Sequence, residues 1–280
     1  MLSLYLYKNV FMISSVFNYQ DKEIHFTKEG QGNTIVLLHG FMESLQIWKD
    51  FSHELSANFN VICIDLPGHG ESECISDVHS MDLLADVVKQ IVDSLRISSF
   101  VLIGHSMGGY VSLQFAYQYP AMLKGLCLFH SHALADTEEA KFNRDRTCEI
   151  VKKNRKSFIS QFIPDLFAEE NVKKFAEEIR ILQTQVKNMK SEAIIAALIG
   201  MKLRENKLHV LTDLKIPILF ILGKKDSRVS VQQAMAQAIL PEHSEVLLLD
   251  IGHMGYIEAR NETLFTIRSF AEKCFALPTK

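Results

Sequence analysis

Residues Phe100–Tyr110 read FVLIGHSMGGY and predict a strand, a sharp turn and a helix in immediate succession. The apolar run Phe100–Ile103 is typical of a strand buried on both faces, and helical spacing follows over Met107–Tyr119. Between them, Gly104–Gly108 matches the pattern G-x-S-x-G, in which a serine stands on a strained turn. The five-residue string alone is weak evidence, but the strand before it and the helix after it make the match specific. We therefore predict that Ser106 is a nucleophile.

Short apolar runs recur on both sides of this segment and predict further strands. They are Thr34–Leu38, Val61–Ile64, Gly125–Phe129, Ile218–Leu222 and Val246–Leu249. Stretches with helical spacing lie between them: Ile47–Ala57, Met81–Leu95 and Val231–Leu240. This alternation predicts an α/β fold, in which helices flank both faces of a mostly parallel sheet. Ser15–Tyr19 and Glu23–Glu29 instead alternate apolar and polar residues and predict a hairpin before the first buried strand.

The alternation stops between Ala135 and Asn206, where the pattern is helical and rich in lysine and glutamate. A stretch of this length is too long for a connecting loop. We predict a helical insertion over residues 135–207 that divides the core into residues 1–134 and 208–280. The insertion could simply cover the sheet, but we favour a lid over the site. Residues 1–14 are expected to be an extension, because Met1–Phe17 lacks the basic start and cleavage site of a signal peptide.

The charge of the chain argues against a nucleic-acid partner. Its 30 basic and 33 acidic residues give a net charge of −3, whereas nucleic-acid binders carry a basic footprint. Five scattered cysteines without a C-x-x-C pair predict neither a disulfide framework nor a zinc site. No apolar run reaches the roughly 18 residues of a membrane span. We expect a cytoplasmic protein that binds no metal. The glycine-rich motifs that bind phosphate groups are absent from the sequence, so we also expect no nucleotide cofactor. The sequence is compatible with a monomer and with a dimer.

A serine becomes nucleophilic when a neighbouring imidazole takes its proton. His253 lies just beyond the last predicted strand, where a loop can reach the strand end that carries Ser106. The carboxylate that orients this imidazole is predicted to be Asp226, which follows the preceding strand. Asp250 is the rival, and we expect it to form local hydrogen bonds instead. Five other histidines are expected at the surface: His25, His53, His79, His209 and His243.

Two backbone amides are candidates to stabilise the oxyanion that forms when a carbonyl is attacked. One is the Met107 N–H at the start of the helix, and the other is the Phe41 N–H in the glycine turn after the first buried strand. That turn could alternatively be only a strand end. Phe41 and Met42 predict an apolar substrate pocket, which His130 is also expected to line. His105 is expected to form structural hydrogen bonds rather than to act as a second base.

Together these motifs resemble the α/β-hydrolase family, in particular its serine-nucleophile, carboxylesterase-like branch with a helical cap. In the family's order the chain carries HGF (His39–Phe41), DLPGHGES (Asp65–Ser72), GHSMGG (Gly104–Gly109), ILGKKD (Ile221–Asp226) and GHM (Gly252–Met254). The resemblance implies an eight-stranded, mostly parallel sheet, a helical cap and hydrolysis without a cofactor. Relatives with an aspartate nucleophile are excluded, because Ser106 occupies that position.

The leading hypothesis is hydrolysis of a small to medium carboxylic ester through an acyl-enzyme on Ser106. The same residues could serve a C–C bond hydrolase, an enol-lactonase or a thioesterase. Arg144 and Arg146 could then hold a substrate carboxylate, although a solvated cap surface explains these arginines more simply. A hypothesis of another class is a small-ligand sensor with vestigial hydrolase activity.

Overall fold

An eight-stranded sheet organises residues 12–277, the part of the chain that the structure, a computed structural model, describes. Its strands are β1 (Ile13–Tyr19), β2 (Lys22–Glu29), β3 (Thr34–Leu38), β4 (Asn60–Ile64), β5 (Phe100–His105), β6 (Leu123–Phe129), β7 (Ile218–Gly223) and β8 (Ser244–Leu249). Their order is β1-β2-β4-β3-β5-β6-β7-β8. β2 is antiparallel to both of its neighbours, and all other pairs are parallel. The predicted α/β fold with a mostly parallel sheet is confirmed.

Ten α-helices accompany the sheet within the described residues. They are α1 (Lys49–Leu55), α2 (Met81–Ser94), α3 (Met107–Gln118), α4 (Glu138–Phe162), α5 (Ala176–Val186), α6 (Ser191–Leu203), α7 (Leu208–Asp213), α8 (Val231–Gln237), α9 (Gly255–Glu258) and α10 (Arg260–Ala276). α2 illustrates how the sequence sets these bounds. Ser80 caps the helix by accepting a hydrogen bond from the Leu83 N–H, and Asp82 in the first turn complements the helix dipole.

The burial of the strands follows from the order of the sheet. β3, β5 and β7 are buried along their whole length because helices cover both faces of the sheet. β8, at the edge, alternates between exposed and half-buried residues. The register places Leu38 beside Gly104 and Gly223 beside Leu249 at the carboxyl edge of the sheet. The loops that leave these four strands therefore meet at one edge.

The stretch between β6 and β7 contains helices α4 to α7. α4 is interrupted at Asn154, whose backbone is not helical (φ −154°, ψ 74°). The two ends of the stretch are joined: the Lys207 N–H donates to the Ala133 carbonyl over 2.7 Å, and Arg204 forms an ion pair with Asp136. The chain thus enters and leaves α4–α6 at one place. This arrangement agrees with an insertion near residues 135–207, whose bounds as a separate domain stay a prediction.

The first strand begins earlier than predicted. Ile13 and Ser14 already pair with Lys28 and Thr27 in β2, so these two residues do not belong to an extension. Residues 1–11 of the predicted extension lie outside the described residues. Every helix of the described chain is too short or too polar to span a bilayer.

Two histidines that were predicted at the surface are buried. His25 is 5% exposed and its Nδ1 lies 2.8 Å from the Asp65 Oδ2, a partner 40 residues away. His79 is fully buried, and its backbone N–H donates to the Ala196 carbonyl in α6. The prediction was wrong for both because their partners are distant in sequence. Three others are exposed as predicted: His53, His209 and His243.

Candidate active site

Ser106 stands on a strained turn between β5 and α3. Its backbone has φ 52° and ψ −113°, a region that costs a non-glycine residue on the order of 1–3 kcal/mol. The Ser106 N–H donates to the Phe129 carbonyl over 2.8 Å, which holds the turn against β6. A Cβ atom on Gly104 would lie 2.3 Å from the Gly108 backbone, and one on Gly108 would lie 2.6 Å from the Leu38 carbonyl oxygen. The turn therefore requires both glycines, as predicted.

His253 faces the serine hydroxyl. The distance from the His253 Nε2 to the Ser106 Oγ is 2.9 Å, and the His253 Nδ1 lies 2.8 Å from the Asp226 Oδ2. The His253 N–H donates to the Leu166 carbonyl over 2.7 Å, so a residue between β6 and β7 fixes the loop that carries this imidazole. The structure thus brings together the three side chains that were predicted to act in sequence.

Asp226 is held by four hydrogen-bond donors. Its Oδ1 accepts from the N–H groups of Arg228 (2.7 Å) and Val229 (3.0 Å), and its Oδ2 faces the Nδ1 atoms of His253 and His130. Since a carboxylate only accepts, each Nδ1 must carry a proton. Burial alone would raise the pKa of Asp226, but the charge of His253 and the hydrogen bonds from both imidazoles hold it well below its ordinary value. Asp226 therefore stays ionised.

Asp250, the rival carboxylate, points away from this chain of hydrogen bonds. Its side chain is 66% exposed, and its Oδ2 accepts a hydrogen bond from the Lys225 ammonium over 2.9 Å. Asp250 thus bonds outside the chain of contacts at Ser106, but its partner lies 25 residues away rather than next to it as expected. Asp226, rather than Asp250, lies against the imidazole of His253.

The turn after β3 packs directly against Ser106. A Cβ atom on Gly40 would lie 3.1 Å from the Ser106 Cβ, so the following residue, Phe41, borders the same place. Within residues 12–277, neither the Phe41 N–H nor the Met107 N–H donates to a protein acceptor. Both amides predicted for the oxyanion therefore keep their hydrogen-bonding capacity beside Ser106.

A cavity of about 610 Å³ opens above Ser106 and His253. Aromatic rings form one wall: Phe41 meets Phe162 edge-on with 5.7 Å between ring centroids, and Phe158 lies 5.2 Å from Phe162. Phe158 and Phe162 belong to α4, so the helical stretch between β6 and β7 covers the site. The predicted apolar pocket is present on this wall.

Two residues predicted to line this cavity do not reach it. Met42 is 1% exposed and has φ 58°, which turns its side chain into the core. His130 is fully buried behind Asp226, and a Cβ atom on Gly255 would lie 2.5 Å from its Nε2. Burial lowers the pKa of His130 to about 4 against the opposing effect of Asp226, so the imidazole is neutral at pH 7. The predicted substrate contacts of Met42 and His130 are therefore wrong.

Charged groups lie farther up the cavity wall. Arg144 forms an ion pair with Asp136, which accepts from its Nε and Nη2 and also pairs with Arg204. Arg228 packs its guanidinium over the Phe162 ring and pairs with Asp165 over 3.3 Å. Arg146 is exposed and has no ion-pair partner among residues 12–277. Of the two arginines singled out from the sequence, Arg146 is therefore the one without a carboxylate partner in this part of the chain.

Sequence reasoning missed Glu43, a buried carboxylate beside the nucleophile. The Glu43 Oε2 lies 2.9 Å from the His105 Nδ1, and the His105 Nε2 lies 3.0 Å from the His253 carbonyl oxygen. Burial alone would raise the pKa of Glu43 and lower that of His105. Their mutual attraction outweighs burial, so the pKa of Glu43 is lowered and that of His105 is raised. His105 is a structural hydrogen-bonder, as predicted, and its partner is an acid three residues after the turn glycine.

One cluster in the described part of the chain has the spacing of a metal site. His130, Asp226 and His253 place ligand atoms within 4.8 Å of one another. Each of these atoms already takes part in the hydrogen bonds described above. A metal ion bound there would displace at least one of those bonds.

Comparisons with known proteins agree with this fold. A family model described as the alpha/beta hydrolase fold matches residues 33–146. An esterase structure from Thermogutta terrifontis has a TM-score of 0.86 and 31% sequence identity, covering 94% of this chain and 99% of that chain. The dihydrolipoyllysine-residue acetyltransferase component of the acetoin cleaving system of Pseudomonas putida is 30% identical over 256 residues, 89% of this chain. A 2-hydroxy-6-oxononadienedioate/2-hydroxy-6-oxononatrienedioate hydrolase of Escherichia coli is 40% identical over 111 residues, 38% of this chain. The chain spans 66% of the length of the Pseudomonas relative and 38% of the Escherichia one.

Proposed function

The chain belongs to the α/β-hydrolase family, and from that premise we propose that it hydrolyses small to medium carboxylic esters with Ser106, His253 and Asp226 as its catalytic triad. The observation that carries this proposal is the unbroken chain of contacts, 2.9 Å from the Ser106 Oγ to the His253 Nε2 and 2.8 Å from the His253 Nδ1 to the Asp226 Oδ2. Such a chain gives a serine hydroxyl a base, and gives the base an orienter.

The reaction proceeds through an acyl-enzyme. The Ser106 Oγ attacks the ester carbonyl while the His253 Nε2 takes the hydroxyl proton, and the C–O bond to the alcohol breaks as His253 returns that proton to the leaving oxygen. A water molecule, activated by His253 in the same way, then releases the acid and regenerates Ser106. Asp226 keeps the His253 Nδ1 protonated, so that the Nε2 is free to accept. The Phe41 and Met107 amides stabilise the oxyanion, each contributing about 3–4 kcal/mol.

The cavity supports the size and polarity of the substrate. Its volume of about 610 Å³ accommodates a small to medium ester. The rings of Phe41, Phe158 and Phe162 favour an apolar acyl or alcohol group next to the reacting carbonyl. Nothing in the triad itself distinguishes an oxygen ester from a thioester.

A second candidate is cleavage of a C–C bond or an enol-lactone with the same triad. It is favoured by the local 40% identity to the Escherichia coli hydrolase, and by Arg146, which could hold a substrate carboxylate near the cavity mouth. A panel of p-nitrophenyl esters of graded acyl length, one meta-cleavage dienoate and one enol-lactone would rank these substrates by kcat/KM. A burst of one product equivalent without turnover would instead favour a ligand sensor.

Ser106→Ala tests the proposal. We expect turnover of p-nitrophenyl butyrate to fall by at least about 10³-fold, because the variant has no nucleophile. Ser112→Ala is the matched control, since it removes a nearby serine hydroxyl, buried in α3, that donates to the Gly108 carbonyl. The control should retain kcat within about two-fold. Turnover at the wild-type level in Ser106→Ala would discard the assignment.

A further inference from the structure

We propose that Glu43 is a positioning residue that holds the oxyanion-binding turn and the loop of the base in register with each other. This inference rests on the proposed function, because it concerns the geometry of that same site. Glu43 touches neither the serine oxygen nor the triad side chains, so it would act through the groups that it binds.

The carboxylate of Glu43 accepts hydrogen bonds from three separate segments. Its Oε2 accepts from the Gly40 N–H over 2.5 Å and faces the His105 Nδ1 at 2.9 Å. Its Oε1 accepts from the Tyr256 hydroxyl over 3.0 Å. Gly40 follows β3, His105 ends β5 and Tyr256 lies in α9, directly after the loop of His253. One side chain therefore joins three loops at the carboxyl edge of the sheet.

Glu43 also sets the direction of the Phe41 amide. Its backbone N–H donates to the Gly40 carbonyl over 3.3 Å, and the His39 Nδ1 lies 2.8 Å from the same oxygen. The Gly40 carbonyl and the Phe41 N–H belong to one planar trans peptide and point in opposite directions. The hydrogen bonds to the Gly40 carbonyl therefore also fix the direction of the Phe41 N–H, which points the opposite way. Together with the bond to the Gly40 N–H, this defines the whole turn.

The same carboxylate supports the base. Glu43 holds the Nδ1 of His105, and the His105 Nε2 lies 3.0 Å from the His253 carbonyl oxygen. The backbone at the base is thus tied to the turn of the oxyanion donor through two side chains. The side chains of Glu43 and His105 are 3% and 0% exposed, so solvent does not loosen these bonds. Small displacements of such groups cost about 10²-fold in rate when they misplace reacting atoms by about 1 Å.

A buried ion pair is a poor choice for stability alone. Apolar residues of similar volume often stabilise a fold equally well, since desolvation of two charges offsets their attraction. Glu43 nevertheless satisfies both carboxylate oxygens, each with a donor from a loop that borders Ser106 or His253. We therefore infer that the pair of Glu43 and His105 serves to position the loops around Ser106 and His253.

Glu43→Gln is the direct test, because it keeps the shape of the side chain but turns one accepting oxygen into a donor. We expect kcat for p-nitrophenyl butyrate to fall about 10- to 100-fold, with KM within about two-fold. Affinity for phenylboronic acid, which forms a tetrahedral adduct on Ser106 and uses the oxyanion amides, should fall in parallel with kcat/KM. Inhibition by butyrate, which forms no such adduct, should not change.

Glu29→Gln is the matched control. Glu29 is a 4%-exposed glutamate in β2 that accepts from the Ser52 hydroxyl over 2.8 Å. It pairs with Val61 at the amino end of β4, away from the carboxyl edge of the sheet that carries the site. The substitution Glu29→Gln makes the same chemical change as Glu43→Gln, in another buried hydrogen-bond network. We expect Glu29→Gln to lower Tm but to leave kcat and boronic acid affinity within about two-fold of wild type.

The outcomes separate this inference from the proposed function. Wild-type turnover that survives Ser106→Ala would overturn the proposed function and this inference with it. If the proposed function holds, a folded Glu43→Gln with wild-type kcat and boronic acid affinity would overturn the role of Glu43 alone. If Glu43→Gln does not fold, Tyr256→Phe decides, since it removes the bond to Oε1 and, besides that, only a 3.9 Å contact with the Met254 sulfur. It should lower kcat and boronic acid affinity together by about two- to five-fold, and unchanged values would overturn the inference.

Discussion

Replacing Asp226 with asparagine would test the orientation of the base most severely. The carboxylate accepts from two backbone amides through Oδ1 and faces two imidazoles through Oδ2. An asparagine can satisfy the amides of Arg228 and Val229 only by keeping its oxygen toward them. Its NH₂ group then points at the Nδ1 atoms of His253 and His130. The opposite orientation would set NH₂ against two N–H donors and lose two hydrogen bonds, worth about 1 kcal/mol each.

The magnitude follows from the tautomer that this orientation imposes. An NH₂ group donates to the His253 Nδ1, so the ring proton moves to Nε2, which can no longer accept the proton of Ser106. An incorrect tautomer of this kind lowers kcat by about 10⁴-fold, equivalent to about 5.5 kcal/mol at about 1.4 kcal/mol per tenfold change. We therefore expect Asp226→Asn to retain KM while kcat for p-nitrophenyl butyrate falls by about 10³- to 10⁴-fold.

Asp250→Asn is the control for this measurement. It makes the same change three residues before His253, at a carboxylate that is 66% exposed and pairs only with Lys225. Because exposed ion pairs contribute about 0–1 kcal/mol, kcat should stay within about two-fold. A folded Asp226→Asn variant, with an unchanged Tm, that keeps more than about a tenth of the wild-type kcat would show that Asp226 does not orient His253. A large loss in Asp250→Asn alone would make Asp250 the orienter.

Two further predictions concern stability and substrate charge. Burial lowers the pKa of His79 to about 4, so between about pH 6.5 and 4 the unfolded chain binds a proton there that the folded chain does not. The free energy of unfolding should therefore fall as the pH falls through this window. In urea titrations, His79→Leu should reduce the slope of this free energy against pH by up to about 1.4 kcal/mol per pH unit. An unchanged slope would contradict the lowered pKa of His79. Arg146→Ala should lower the ratio of kcat/KM for monomethyl glutarate over methyl valerate about two- to five-fold at low salt, less at high salt. An unchanged ratio in pH-stat assays would place the arginine outside the substrate's reach.

The elements of the sheet and the nucleophile turn could be predicted because their signals are local. Apolar runs predict buried strands, and a G-x-S-x-G string between a strand and a helix predicts the turn at Ser106. The meeting of Ser106, Asp226 and His253 followed from one rule, that the carboxyl ends of parallel strands share an edge. None of these steps required knowledge of side-chain packing.

Other residues could not be placed because nothing local indicates where they turn. Met42 and His130 both follow strand ends, and both have positive φ, 58° and 49°, without being glycine. Such a backbone is uncommon for these residue types and directs each side chain inward. Glu43 could not be recognised because its partners His105 and Tyr256 lie 62 and 213 residues away. Buried polar networks of this kind are visible only once the chain is folded.

The joined ends of the helical stretch between β6 and β7 make it interchangeable. Since the Lys207 N–H binds the Ala133 carbonyl, we expect that a segment of different length or sequence could be inserted at this neck without shifting the register of either strand. New selectivity could thus be acquired by recombination, while the chemistry stays with the sheet. The carbonyl of Leu166, which binds the His253 backbone N–H, sets one condition, and the carbonyl of Ala196, which binds the His79 N–H, sets another. A transplanted segment must supply an acceptor at the first of these points, or the loop of the base loses its support.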